Sequence, residues 1–339
     1  MSAAISGPDA QSAARTPRRI FRGLQPSDQA FFWLSRGIGA LVLLITGGIG
    51  VFLLLQLIPT VRAYGLSFFT QANWDPETAQ IGVAGALVGT VEVAGVAIVV
   101  SVPLAFLTAL YISEYAPHRI KSGLVSIIDL MAAIPSIVYG FWGFFFFQPH
   151  AAAVTRWIST YLSWIPIFKV PDSNPHAAVV YVADRYYGSV AIAGLVVAMM
   201  VIPMACAVMR GVFAQAPIGE REGALALGAT RWGVIRSVVV PFGRGGIIGG
   251  TMLGLGRALG ETMAVLVVIS VKFEINWHLL FTGTITISSL IADRWSEATP
   301  GQLKALLAAG CVLFVITMAV NFVAATFVTR SRSGATTEI

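Results

Sequence analysis

Charged residues are scarce in this chain of 339 residues: they make up 11% of it, whereas hydrophobic residues make up 56%. An ordinary soluble domain carries roughly 25% charged residues, so the composition predicts a protein with several membrane-spanning segments. Cysteine and histidine are scarce too. The two cysteines, Cys206 and Cys311, lie within apolar runs, so no disulfide framework is indicated, and the four histidines lack the spacing of a metal site.

The sequence also lacks the residues that would make it an enzyme. It has no Gly-x-x-x-x-Gly-Lys-Ser/Thr loop for a nucleotide, no pair of neighbouring carboxylates and no His/Ser constellation. We therefore expect a non-catalytic chain that binds no cofactor itself. The net charge is +6, but the basic residues are dispersed, and no patch for nucleic acid is indicated.

Apolar segments, by contrast, are abundant. A bilayer-spanning helix needs about 20 apolar residues, and six segments meet that length: 37–58, 81–113, 124–147, 188–209, 245–271 and 305–328. Pro103, Pro135 and Pro203 predict kinks in three of them. With the N-terminus inside, the inner segments hold about twice as many Lys and Arg residues as the outer ones. The prediction is an all-α membrane protein with six transmembrane helices and both termini in the cytoplasm.

The segments divide the chain into four regions. The predicted regions are a disordered cytoplasmic tail over 1–33, a first transmembrane helix with its outer loop over 34–80, a core of five transmembrane helices over 81–329 with an inner loop at 210–243, and a cytoplasmic tail over 330–339. The outer loop 148–187 holds Trp157, Tyr161 and Trp164 on one face of a short predicted helix. That face fits either an aromatic anchor at the membrane surface or a landing surface for an external partner.

The inner loop carries the signals of two short helices. Pro217 is expected to open the first and Gly228 to end it. Thr230 is expected to cap the second, and Pro241 to stop it. Two short helices with small side chains fit a low knob that enters a cleft of another protein. They equally fit an amphipathic loop that lies on the lipid headgroups.

A spacing pattern in this loop resembles a known signature. Glu222-Gly223-Ala224, three residues, Gly228, nine residues and then Val238-Val239-Val240-Pro241 resembles the EAA signature of ABC-importer permeases. Every spacing matches, and the pattern precedes the penultimate span as it does in that family. Gly223 replaces an alanine, which should cost about 1 kcal/mol of helix stability. The resemblance implies a type I ABC importer permease fold, in which Glu222, Gly223, Ala224 and Gly228 dock in a groove of a cytoplasmic ATPase.

The fifth predicted span carries two charges. At about 100° per residue, Arg257 and Glu261 share a face with Gly246, Gly250 and Gly254. Glycines at this spacing let another helix approach closely, so the two charges could form an ion pair in a packed helix. Alternatively they line a path, because an arginine at a membrane-helix centre costs about 2.5–3.5 kcal/mol and is usually functional.

Another carboxylate, Glu92, lies well inside the second predicted span. Two roles fit a carboxylate at that depth. It either hydrogen-bonds a neighbouring helix or lines the same path as the charged pair.

The residue sequence of the charged span indicates a more specific group within the family. Residues 254–265 resemble the fifth helix of PstC-type permease subunits of the phosphate importer, and 111–117 and 133–140 with Trp142 agree with it. The resemblance implies that Arg257 and Glu261 take part in phosphate passage. It also implies membrane lipid and several proteins as partners: a PstA-like permease, two PstB-like ATPase subunits that hold ATP and Mg²⁺, and an external phosphate-binding protein at the bacterial cytoplasmic membrane.

One arginine beside one glutamate carries almost no net charge. This chain alone therefore predicts no deep anion well, and a second arginine is expected from the partner permease, with Arg257 and Glu261 acting as a gate. Three alternatives remain at this point. They are a permease for another oxyanion (phosphonate, sulfate or molybdate), a stand-alone secondary transporter or channel, and a membrane-embedded enzyme.

Overall fold

The computed structural model describes residues 26–75, 80–171 and 179–332. These residues are mostly helical, with one antiparallel pair of two-residue strands, β1 (Trp74–Asp75) and β2 (Gln80–Ile81). The helices are α1 (Pro26–Tyr64), α2 (Ser67–Thr70), α3 (Ala84–Leu110), α4 (His118–Ala133), α5 (Ser136–Trp142), α6 (Gln148–Tyr161), α7 (Val179–Val182), α8 (Val190–Phe213), α9 (Ile218–Ala226), α10 (Arg231–Val234), α11 (Val240–Gly260), α12 (Met263–Val268), α13 (Ile287–Arg294) and α14 (Pro300–Arg332).

Three of these helices are extended by π-helical segments, which are rare in proteins and frequent at functional sites. The segment π1 (Tyr111–Tyr115) continues α3, π2 (Gly143–Phe147) joins α5 to α6, and π3 (Ile235–Val239) joins α10 to α11. Short 3₁₀ turns occur at Pro166–Phe168 and Ala183–Arg185.

Five helical stretches in the described residues are long and apolar enough to cross a membrane: 26–64, 84–115, 190–213, 231–260 and 300–323. The predicted third span is different. It is a pair of helical stretches, His118–Ala133 and Ser136–Tyr161, that meet at a bend of 92°. If this pair forms one crossing, the number of spans is six, as the sequence predicts.

The bend has a local cause. Ile134 precedes Pro135 and has an extended backbone, with φ of −65° and ψ of 130°. A residue before proline is pushed out of the helical region by contact with the proline ring. The predicted kink at Pro135 is therefore a complete break of the helix.

The boundaries of the predicted tails also need correction. The helix α1 begins at Pro26, so residues 26–33 of the predicted disordered tail are helical. At the other end, α14 continues to Arg332, three positions into the predicted C-terminal tail. The remaining residues of both tails, 1–25 and 333–339, lie outside the described residues.

Helix α8 is the most enclosed of the apolar helices, and α11 packs directly against it. A Cβ atom at Gly246 would lie 2.6 Å from the Cβ of Val212, and one at Gly254 would lie 2.6 Å from a methyl group of Val201. Gly250 meets the same helix, since a Cβ there would lie 3.0 Å from the carbonyl oxygen of Ala205. The glycine ladder is thus the surface that lets the two helix backbones approach.

This packing predicts opposite effects for two adjacent glycines. Gly246→Ala should destabilise the protein by about 1–3 kcal/mol, because an added methyl group has to displace a stiff valine. Gly245→Ala places its methyl group where nothing lies within 4 Å, and should stabilise the helix by about 0.5–1 kcal/mol. Thermal unfolding of the two purified variants measures the difference. Equal stability of the two variants would contradict this packing.

Candidate functional site

The segment 217–234, called the knob below, folds as its capping residues predict. Helix α9 begins directly after Pro217 and ends before Gly228, whose φ of +83° is a left-handed conformation that glycine adopts without strain. The Thr230 hydroxyl accepts a hydrogen bond of 3.2 Å from the backbone N–H of Gly233 and caps α10. The predictions for Pro217, Gly228 and Thr230 are confirmed.

The predicted stop at Pro241 is wrong. The chain continues from α10 through π3 into α11, and Pro241 lies in the first turn of α11. A proline inside a helix removes one backbone hydrogen bond to the preceding turn, and here the preceding turn is the π-helical segment π3. The knob is therefore joined to the charged helix by one continuous helical rod.

The knob presents an exposed surface of mixed character. No side chain of α9 is buried, and Leu227 is 92% exposed. Ile218 and Trp232 are exposed as well, and so is Glu222. Large exposed apolar side chains rimmed by charges are typical of a protein interaction site.

Two further predicted docking residues on this surface are small. A Cβ atom at Gly223 would meet nothing within 4 Å, and Ala224 is small and half-buried. Their small size keeps the knob low, which suits insertion into a cleft.

The charged span is interrupted at its glutamate. Helix α11 ends at Gly260, Glu261 has an extended backbone with φ of −68° and ψ of 125°, and α12 begins at Met263. The prediction of a continuous helix over 245–271 is therefore wrong. Glycine is a weak helix former, and the Glu261 carboxylate offers the backbone N–H of Ala264 an alternative acceptor at 3.3 Å.

Arg257 and Glu261 nevertheless form a pair, with 3.9 Å between Nη2 and Oε2. The Glu261 side chain is buried at 7% exposure, whereas the Arg257 side chain is 37% exposed. The distance is longer than a charge-assisted hydrogen bond. The guanidinium therefore keeps donors for a further ligand.

That guanidinium faces a groove of about 700 Å³. The groove is lined by Met204, Gly249, Met252, Leu253, Gly256, Arg257, Gly260, Glu261 and Asn321. At Gly249, Gly256 and Gly260 an added Cβ would meet nothing within 4 Å, so these glycines border open space. The second half of α11 is thus glycine-rich on both a packed side and an open side.

This geometry corrects the predicted face of α11. The ladder Gly246, Gly250 and Gly254 is buried against α8, whereas Arg257 lies beside the ladder and faces the groove. The helical periodicity of the sequence places them on one face, because it takes no account of the neighbouring helix α8. Asn321 of α14 also lines the groove but is not among the predicted site residues. Its position as a lone amide in the last apolar segment could have indicated a functional role.

A second broken span supports the pair. Helix α5, which follows the break at Pro135, packs on α12, and a Cβ atom at Gly140 would lie 2.9 Å from the Cα of Ala264. The Tyr139 hydroxyl donates a hydrogen bond of 2.9 Å to the carbonyl of Met131, across the same break. The helix break at Pro135 and the helix break at Glu261 are therefore linked by the packing of α5 on α12.

The Glu92 side chain is half-buried in α3. Its Oε2 atom is enclosed and has no hydrogen-bond partner within the described residues. It is also not among the residues that line the Arg257 groove. The described part of the chain contains no group of three or more His, Cys, Asp or Glu residues that could hold a metal ion.

The outer segment contains the predicted short helix. It is α6, which exposes Trp157 and Tyr161 with their ring centroids 5.3 Å apart, while Trp164 lies beyond its end. The Ser159 hydroxyl is 2.9 Å from the Tyr186 hydroxyl, so α6 is held to the chain that follows. The exposed rings remain consistent with either an anchor or a landing surface, and 172–178 lie outside the described residues.

Comparison with known proteins gives consistent matches. Residues 101–333 match the family described as binding-protein-dependent transport system inner membrane component. The chain is 35% identical over 304 residues to the phosphate transport system permease protein PstC 2 of Mycobacterium bovis, covering 88% of this chain and 91% of that protein. It is 36% identical over 291 residues to the permease protein PstC of Haemophilus influenzae, covering 86% and 89%.

A third relative spans almost the whole chain: PstC of Mesorhizobium japonicum is 33% identical over 332 residues and is covered to 98% of its length. Among solved structures, a chain of a bacterial ABC transporter involved in the import of the acidic polysaccharide alginate has a TM-score of 0.54. It is 16% identical, with 89% of this chain and 96% of that chain covered. This last likeness concerns the fold alone.

Proposed function

Because the chain belongs to the family of binding-protein-dependent transport system inner membrane components, we propose that it is the permease subunit of an ATP-driven importer of inorganic phosphate. It is a multi-pass membrane protein. In the proposal it lies in the bacterial cytoplasmic membrane with both termini in the cytoplasm. Its partners are a PstA-like permease, two PstB-like ATPase subunits and an extracytoplasmic phosphate-binding protein, and ATP and Mg²⁺ are held by the ATPase subunits.

One observation carries the choice of substrate. In a chain whose relatives are named phosphate transport permeases, a half-exposed guanidinium faces an open groove. The planar fork of arginine donates two parallel hydrogen bonds to two oxygens of one oxyanion. Within a membrane such a group is costly unless it serves a pathway.

The pair with Glu261 sets how strongly the groove binds an anion. Phosphate near neutral pH is a mono- or dianion, and Arg257 with Glu261 contributes almost no net charge. The groove therefore binds phosphate weakly enough to release it. We infer that the partner permease closes the open side at Gly249, Gly256 and Gly260 and contributes a second arginine there.

The knob provides the connection to ATP. Glu222, Gly223, Ala224 and Gly228 form the surface that docks in a groove of an ATPase subunit, together with the exposed Leu227. Since α10, π3 and α11 form one helical rod, movement of the knob is carried along α11 to Arg257.

Transport by the reconstituted complex tests the proposal. Liposomes containing both permeases and both ATPase subunits, with ATP and Mg²⁺ inside and loaded binding protein outside, should accumulate labelled phosphate, and liposomes without ATP should not. Excess unlabelled phosphate should suppress the uptake, whereas phosphonate, sulfate and molybdate should not. Uptake driven by an ion gradient without ATP would contradict the proposal, as would stronger competition by another oxyanion.

A further inference from the structure

Within the knob, the side chain of Arg221 ties α9 to the helix bundle. Its Nη1 atom donates a hydrogen bond of 3.1 Å to Oε2 of Glu114 in π1, and its Nη2 atom donates one of 2.6 Å to the carbonyl oxygen of Phe213. Both carboxylate and guanidinium are well shielded, at 12% and 23% side-chain exposure. One guanidinium thus joins α9 to the ends of α3 and α8.

The acceptors of this arginine are themselves fixed. Oε1 of Glu114 accepts a hydrogen bond of 2.7 Å from the Ser113 hydroxyl. The ring of Phe213 is fully buried and packs edge-on against Phe106 of α3, with 6.0 Å between the centroids. It also occupies the space beside Gly243, where a Cβ atom on α11 would collide with it. Force applied to Arg221 therefore reaches three bundle helices.

Apolar packing contributes little to the same connection. No side chain of α9 is buried. A cavity of about 200 Å³ lies between α9, α10 and π1, lined by Glu114, Arg221, Leu225, Arg231, Val234 and Ile235. A helix held by a polar tether over a small void can move as a unit while the tether transmits its displacement.

We propose that Arg221 and Glu114 form a coupling strut, which transfers the movement of the docked knob to α3 and α8 and so links ATP hydrolysis to opening of the Arg257 groove. Both are positioning residues, remote from the substrate. The strut differs from the docking surface because it faces the bundle, whereas Glu222 and Leu227 face outward. This inference rests on the proposed function, in which an ATPase drives the knob.

Two functional readouts on the reconstituted complex test the strut. In the Arg221→Ala complex the ATPase subunits should remain bound and hydrolyse ATP, while the phosphate imported per ATP should fall. Coupling between two sites typically corresponds to a factor of roughly 5 to 150, so a fall of roughly fivefold or more is expected. Arg221→Lys should be only partly active, because an ammonium does not span the two acceptors as a fork does.

Controls separate coupling from folding and general charge effects. Glu114→Ala should reproduce the Arg221→Ala defect, and the double variant should be no worse than either single one, as expected for residues that act as a unit. Arg119→Ala, which removes an exposed guanidinium from the start of α4, should transport normally. Unchanged phosphate import per ATP in Arg221→Ala, or additive losses in the double variant, would overturn the strut.

A readout that does not depend on the cargo separates this inference from the proposed function. Leu253 lies in the groove and is exposed, so the maleimide labelling rate of Leu253→Cys reports how the groove responds to ATP. The response should be present in the otherwise unaltered complex and strongly reduced with Arg221→Ala, which leaves only the route along α10, π3 and α11. If phosphate were not the cargo, uptake would fail in every variant while this labelling difference persisted. A response of unchanged size with Arg221→Ala would overturn the strut whatever the cargo.

Discussion

Arg257→Ala is expected to reduce ATP-dependent phosphate uptake roughly 10- to 100-fold, because hydrogen bonds from a charged donor contribute about 1.5–3 kcal/mol. The substitution removes the guanidinium that faces the groove but leaves α11 packed on α8 through its glycine ladder. Arg257→Lys should retain part of the uptake, since a point charge attracts the anion without the two-pronged geometry. Initial uptake rates in proteoliposomes at matched protein content measure these effects.

A matched control lies on the same helix. Arg244 is exposed and outside the groove, so Arg244→Ala removes the same group without changing the site. Its uptake should stay close to that of the unaltered complex. If the double variant Arg257→Ala with Glu261→Ala transported at the unaltered rate, the pair could not be the gate.

Leu227→Asp is expected to abolish binding of the ATPase subunits. Leu227 is 92% exposed, so the substitution should not affect the fold of this chain. In the assembled transporter, however, the new carboxylate would be buried without a partner, and an unpaired buried charge costs several kcal/mol. Co-purification of the ATPase subunits with the solubilised permeases measures the loss. Glu222→Ala should weaken the same association to a smaller extent.

The matched control for this prediction is another exposed leucine. Leu66 is 76% exposed and lies after α1, on the opposite side in the proposed topology. Leu66→Asp should leave ATPase association intact. Loss of association in both variants, or in neither, would mean that the knob is not the docking surface.

Local chemistry in the sequence was sufficient to predict the knob. Pro217, Gly228 and Thr230 determine where its helices begin and end through backbone geometry and a side-chain cap, which require no distant partner. The spacing from Glu222 to Gly228 likewise identified the family. Long apolar runs revealed the spans, because a bilayer requires their length.

Features that depend on distant contacts were not predictable in this way. Glu114 and Arg221 are far apart in sequence and meet only because α3 and α8 bring their ends together. The division of α11 into a packed and an open glycine face depends on α8, and periodicity alone merges the two. The break at Glu261 follows from a side chain competing for the backbone of Ala264, an outcome that hydropathy does not register.

Side-specific labelling of Leu253→Cys tests most directly whether an ATPase acting on the knob controls the groove at Arg257. Cys206 and Cys311 are buried and are replaced by alanine in this experiment. An impermeant maleimide should label Leu253→Cys from the cytoplasmic side without ATP, and from the outer side in the complex trapped with ATP and vanadate. Labelling from one side only, unchanged by ATP, would contradict the coupling of the knob to the groove.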